Sequence, residues 1–110
     1  MGFLDRLAGW FCREPIGAPR SGRWPTVRDR FLEGRDCVAC GKRSDLIAHH
    51  RLPVNAFPEL ELDPANLVAL CEYCHLVFGH LGDWRSYNPE VLDDAARHRQ
   101  RVEQYRRIRP

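Results

Sequence analysis

Two adjacent histidines, His49 and His50 in the stretch AHHRLPVNAF, are the residues of this 110-residue chain that most suggest chemistry. Imidazole titrates near neutral pH, so one ring can hold a metal while another takes a proton from water. Four cysteines suggest a second kind of site. They fall into two pairs, Cys37-Val38-Ala39-Cys40 and Cys71-Glu72-Tyr73-Cys74. A Cys-x-x-Cys turn brings two thiolates to one ion at about 2.3 Å, and two such turns complete a tetrahedron. Gly41 lets the backbone turn tightly beneath the first pair. The second pair falls at a predicted helix N-terminus, where the helix dipole favours thiolate over thiol. Four sulfur ligands make a closed structural zinc site that leaves no position for a substrate. A redox role would need only one pair. Cys12, left over, is expected to be a small buried hydrophobe in the first helix.

The histidines need a different account. Neighbours on a strand point to opposite faces, so His49 and His50 do not easily grip the same ion. One can be a ligand while the other addresses a substrate. His75 follows Cys74 on a predicted helix, and at about 100° per residue it points well away from the zinc side. A hairpin packed on that helix would bring the His49–His50 strand across from His75.

The elements that must position these groups follow from periodicity. FLDRLAGWF has helical spacing and is read as a helix docked on the domain; EPIGAPRSGRWP is a loop. TVRDRFLEG suits a short helix with Thr26 as cap and Gly34 as stop. DCVACGKRSDL reads as a metal-gripping turn between two short strands, and LIAHHRL as a strand. Pro53, Pro58 and Pro64 break the next stretch into irregular structure. NLVALCEYCHLVFGH begins as a strand or turn, becomes a helix near Glu72 and ends around Gly79. Asn88 and Pro89 begin a last helix. Its apolar stripe is Val91, Ala95, His98, Val102 and Tyr105, with His98 a packed or half-exposed structural histidine.

Composition narrows the class. The chain is short enough for one domain and for a metal staple to matter. No stretch is apolar for long enough to cross a bilayer. The first residues carry Asp5 and Arg6 inside their apolar run and lack a clean cleavage site, so a cytoplasmic location is expected and a disulfide framework is not. Net charge is only +2 but unevenly spread. Residues 95–110 hold six arginines against one glutamate, whereas residues 49–94 hold two arginines against eight acidic residues. An acidic middle beside a basic tail suits a site that holds a cation while the tail holds an anion.

His49-His50, then Asn66 in NLVALC, then CEYCH with His75, resembles the HNH endonuclease motif, and the paired cysteines resemble its zinc-stapled, treble-clef branch. The likeness covers roughly residues 36–84. The longer run FPELELDPANLVALCEYCHLVFGHLGDWRSYNP looks like a group of small stand-alone bacterial and phage-type HNH proteins. The resemblance implies an α+β chain with a small ββα-metal core flanked by N-terminal and C-terminal helices. Residues 1–25 would be an amphipathic helix and loop. Residues 26–110 would be the nuclease domain, with its core at 36–84 and a basic helix at 88–108. Cys37, Cys40, Cys71 and Cys74 would hold structural Zn²⁺. His49 and His75 would ligate one catalytic divalent ion (Mg²⁺, Mn²⁺, Ni²⁺ or Zn²⁺), and His50 would be the general base. Asn66 would hold the loop or orient His50 through its amide. His80 would be a third ligand, although it lies five residues after His75 where relatives place that ligand four after. On an unbroken helix that rotates it roughly 140° away, unless Gly79 ends the helix and re-aims it.

The implied activity is metal-dependent hydrolysis of DNA leaving 5′-phosphate ends, on duplex of low sequence specificity. Charge and position alone suggest Lys42, Arg43, Arg51 and Arg85 as backbone contacts, with Arg97, Arg101 and Arg106 further out. Trp84 and Tyr87 are expected to pack the segment between the last two helices rather than stack on bases. A protein partner or a homodimer is compatible with the sequence. The competing readings are a zinc-stabilised nucleic-acid-binding module without cleavage, and a partner-docking accessory that binds through the N-terminal helix.

Overall fold

A two-stranded hairpin is marginal in water, and here it is completed by elements packed on both sides of it. The computed structural model describes residues 21–108. Helix α1 spans Trp24–Leu32, strand β1 Leu46–His50 and strand β2 Leu67–Cys71. Helix α2 is a single turn, Glu72–Cys74, that continues as a π turn over His75–Gly79, and helix α3 spans Val91–Ile108. Strands β1 and β2 pair antiparallel with His49 opposite Val68 and His50 opposite Leu67. The result is an α+β fold with a small ββα core of the metal-binding kind. Among the described residues, no helix is long and apolar enough to cross a membrane.

The first cysteine turn is closed by Cys37 N–H donating to the Lys42 carbonyl at 2.8 Å and Gly41 N–H to the Cys37 carbonyl at 2.8 Å. Gly41 has φ +84°, the left-handed conformation expected of it. No strand precedes Cys37 among the described residues; the turn is docked instead by Val38 N–H on the Ala69 carbonyl of β2 at 3.0 Å. Around it lies the core: Val68 and Leu70 of β2 with Val91 and Ala95 of α3, all fully buried or nearly so. Burying a Val or Leu side chain stabilises by about 1.5–3 kcal/mol, so so few residues give only a modest total.

One helix boundary differs from the sequence reading. Helix α1 begins at Trp24 rather than at Thr26, because Pro25 sits in the first turn, where its missing N–H costs nothing. It stops as expected near Gly34, which has φ +69°. Helix α3 is capped by Asn88, whose Oδ1 accepts from Glu90 N–H at 2.9 Å. Its stripe holds only in the first half. Val91 and Ala95 are buried, whereas Tyr105 is 60% exposed. The expected N-terminal helix and Cys12 lie outside the described residues.

Candidate active site and metal centre

The four cysteines converge. Their sulfurs all lie within 4.8 Å of one another, and none is in a disulfide. Cys40 Sγ and Cys71 Sγ are 3.8 Å apart. Two thiolates on one tetrahedral zinc, at about 2.3 Å each, would stand about 3.8 Å apart, so the donor set fits the ion. Burial raises the Cys37 thiol, but amides of Cys71, Cys40 and Ala39 aimed at its sulfur outweigh that and bring it down to about 7. Burial raises Cys40 and Cys74. Three buried thiols and one half-buried one, with Cys37 poised to ionise, describe a site that a dication would complete.

Arg99 locks this turn to α3. Its Nη1 donates to the Cys37 carbonyl at 3.0 Å, and its Nη2 meets Asp36 Oδ2 at 3.3 Å. The guanidinium lies flat over Gly41, where an added Cβ would stand 3.2 Å from Cζ. Nothing in the local sequence marks Arg99 apart from its neighbours.

The second convergence is of imidazoles. One nitrogen each from His49, His75 and His80 falls within 4.8 Å of the others. His80 Nδ1–H donates to the Ser86 carbonyl at 2.9 Å. A carbonyl can only accept, so the neutral ring carries its lone pair at Nε2. That Nε2 stands 3.2 Å from His75 Nε2. Nitrogens sharing a tetrahedral ion at about 2.0–2.1 Å would be about 3.3–3.4 Å apart, so this pair also fits. His49 Nε2 is buried without a hydrogen-bond partner, a costly state that a cation at the cluster would relieve.

Burial, then repulsion from His75, His80 and His50, pushes His49 well below the usual histidine range. Burial and then His80 hold His75 down to about 4. Burial also lowers His80, against the opposing pull of the Ser86 carbonyl. All three rings are therefore neutral at pH 7, the form that ligates metals.

The backbone accounts for His80. The π turn over His75–Gly79 takes more than four residues per turn, so a residue five along returns to the same side. The spacing that an α-helix would rotate away is thereby restored, and the helix ends at Gly79 as the sequence suggested, with His80 as its C-cap. Gly79 has a separate role, since a Cβ there would lie 3.0 Å from His49 Cε1. Trp84 leans on His75 and His80 with centroids 5.1 and 4.9 Å away and stays half exposed. Tyr87 is buried and stacks on His49 at 6.3 Å.

His50 faces the other way, as strand alternation requires. Its Nε2–H donates to the Glu61 carbonyl at 2.9 Å, leaving the lone pair of the neutral ring on Nδ1. The ring is not open to bulk water: His50 is 8% exposed, and the Trp24 indole covers it with centroids 4.6 Å apart. Asn66 does not touch it. Its amide accepts from Leu52 N–H at 2.9 Å and donates to the Leu52 and Leu60 carbonyls at 3.1 and 3.3 Å. It clips together the two ends of the loop, and the Leu60 carbonyl it holds is next to the Glu61 carbonyl that holds His50.

A family model described as HNH endonuclease matches residues 37–77. Residues 37–77 are thus similar to an HNH endonuclease domain. Neither curated proteins nor solved structures gave a match to the chain. The HNH segment takes in the four cysteines, His49, His50, Asn66 and His75, and ends before His80; Trp24 and Arg99 lie outside it. That likeness suggests nuclease-type chemistry on nucleic acid with metal binding. The basic residues expected to meet the backbone are scattered. Lys42 pairs with Asp45 at 3.2 Å and Arg43 is exposed beside it, on the cysteine turn. Arg51 directly follows His50 and is half-buried, and Arg85 is exposed beside Trp84. Arg97, already paired with Asp94 at 2.7 Å, and Arg101 line an open groove of about 450 Å³ behind the π turn with Phe78 and His98. The His98 ring rests on Phe78 at 4.9 Å, the structural role the sequence suggested.

Proposed function

We propose that the chain is a metal-dependent DNA endonuclease. The observation that carries this reading is the divergence of the two adjacent histidines. His49 joins a three-imidazole cluster of metal-binding spacing, while His50 stands off it with its orientation fixed and its lone pair on Nδ1. His49, His75 and His80 would hold a divalent ion, which would supply Lewis-acid stabilisation of the phosphate and of the leaving 3′ oxygen, and the products would carry 5′ phosphate. His50 accepts the proton of the attacking water at Nδ1. The Glu61 carbonyl fixes the tautomer and stabilises the positive ring that results, as a carbonyl or carboxylate does behind other basic histidines. Asn66 acts at one remove, by holding the loop that carries Glu61. The cysteine-bound zinc contributes to folding and takes no part in the reaction.

The nuclease unit is residues 26–110, with its core at 36–84 and the basic helix at 88–108. Phosphate contacts from Lys42, Arg43, Arg51 and Arg85 would make DNA binding salt-sensitive and largely independent of sequence. The test is nicking of supercoiled plasmid in Mg²⁺, Mn²⁺, Ni²⁺ or Zn²⁺ by wild type and by His50→Ala. Nicking by the wild type alone is expected. Tight DNA binding with no nicking in any metal would favour a zinc-held binding module instead.

A further inference from the structure

A single hydrogen bond does not define the plane of a histidine ring. The torsion that spins an imidazole about its stem is broad and roughly two-fold, so a ring held only at Nε2 can still hinge about that bond. The Trp24 indole adds a restraint on the plane of the His50 ring. The indole of Trp24 lies against it, 4.6 Å between centroids and tilted by 33°. Trp24 opens α1, and the approach to that helix is itself held down. Ser21 N–H donates to Glu61 Oε2 at 2.9 Å, and Glu61 is 9% exposed. One residue therefore holds both partners: its main-chain carbonyl takes His50, and its carboxylate takes the segment that delivers Trp24. Trp24 lies outside residues 37–77, the segment similar to the HNH model.

We propose that Trp24 is a positioning residue for His50, and that α1, latched on Glu61, helps to keep the base in one orientation. The inference rests on the nuclease reading of His50. It treats the indole as a wall that fixes the ring, and not as a lid that blocks it. Misplacing a reacting group by an ångström can cost on the order of 10²-fold in rate, which sets the scale expected on removing the wall.

The experiment compares wild type, His50→Ala, Trp24→Ala, Trp24→Leu and Trp24→Phe in plasmid nicking, with thermal unfolding of each. Trp24→Ala is expected to lose about 10–100-fold in kcat with KM within about twofold, since the ring touches the base and not the DNA. Trp24→Phe should recover most of the loss. Trp24→Leu, which fills the space without a flat face, should recover little while folding as well as the Phe variant. Equal recovery by Leu and Phe would reduce Trp24 to packing and overturn the proposal. So would an unchanged or raised kcat in Trp24→Ala, or a loss confined to KM. A second readout needs no turnover. Imidazole ¹H–¹⁵N spectra should show His50 as one sharp Nε2–H tautomer in wild type and Trp24→Phe, and averaged or broadened in Trp24→Leu. Failure of the wild type to nick in any metal would sink the nuclease reading, whereas identical His50 spectra in all variants would sink the role of Trp24.

Discussion

The sulfur cluster and the imidazole cluster sit at opposite ends of one short stretch, Cys71 to His80, yet they are built for different ends. The sulfur cluster is enclosed by Val68, Leu70, Val91 and Ala95 and clamped by Arg99. It has four donors, so a tetrahedral ion there is saturated. The imidazole cluster has three donors, a half-exposed tryptophan at its rim and a tether through the Ser86 carbonyl. An ion there keeps a position for another oxygen. On the proposed reading, donor number and surroundings are what separate a site for folding from a site for chemistry.

The comparison breaks most visibly if the sulfur site is removed. Cys37→Ser should abolish cooperative unfolding by circular dichroism. A structural zinc is worth about 10–16 kcal/mol in small domains, about as much as a whole domain's stability. His50→Ala, by contrast, should keep a cooperative transition while nicking falls on the order of 10²–10⁴-fold, the usual contribution of a general base. A fold lost in His50→Ala, or kept in Cys37→Ser, would erase the proposed division of labour.

Gly79→Ala sharpens it. The new methyl must displace the His49 ring, so divalent-ion affinity by calorimetry should drop about 10–100-fold, as when a ligand loses its support. The zinc content should not change.

Acidity separates the sites too. His75 is held at about 4 when folded, against an ordinary value near 6.5. The unfolded chain therefore takes up the proton first. This ring's contribution to stability is full above about pH 6.5 and is lost as pH falls toward about 4. Protons compete for its lone pair only at the lower value, so Ni²⁺ binding should stay nearly flat from pH 8 to about 6 and weaken below about 5.

The smallest effect is expected at Arg99. Arg99→Ala removes hydrogen bonds to Asp36 and to the Cys37 carbonyl, for a loss of about 1–3 kcal/mol in urea unfolding with His-site affinity unchanged.

How much of this was legible in the sequence depended on range. The divergence of His49 and His50 follows from strand alternation, which is local, and the hairpin carries it out. The paired cysteines, Gly41 and the Asn88 cap are local patterns as well. His80 was harder, because its spacing is wrong for an α-helix and a π turn has no signature in residue types. It forms where the His75–Gly79 segment packs against β1 and α3. The sheltering of His50 was not legible at all, since Trp24 and Glu61 are brought to it by long-range packing. Arg99 looked like any other arginine of a basic helix. Tyr105, placed on the apolar stripe by periodicity, is exposed because a period says which residues share a face and not what covers it.

The central claim is that the chain holds two metals of different kinds, one by sulfur and one by imidazole. Cobalt titration of the metal-free protein tests it directly, because sulfur-bound and imidazole-bound cobalt absorb at different energies. Two ions per chain are expected in the wild type, and His75→Ala should lose only the imidazole-bound one. A wild type that takes up a single sulfur-bound ion, or a His75→Ala variant that still binds both, would contradict the account.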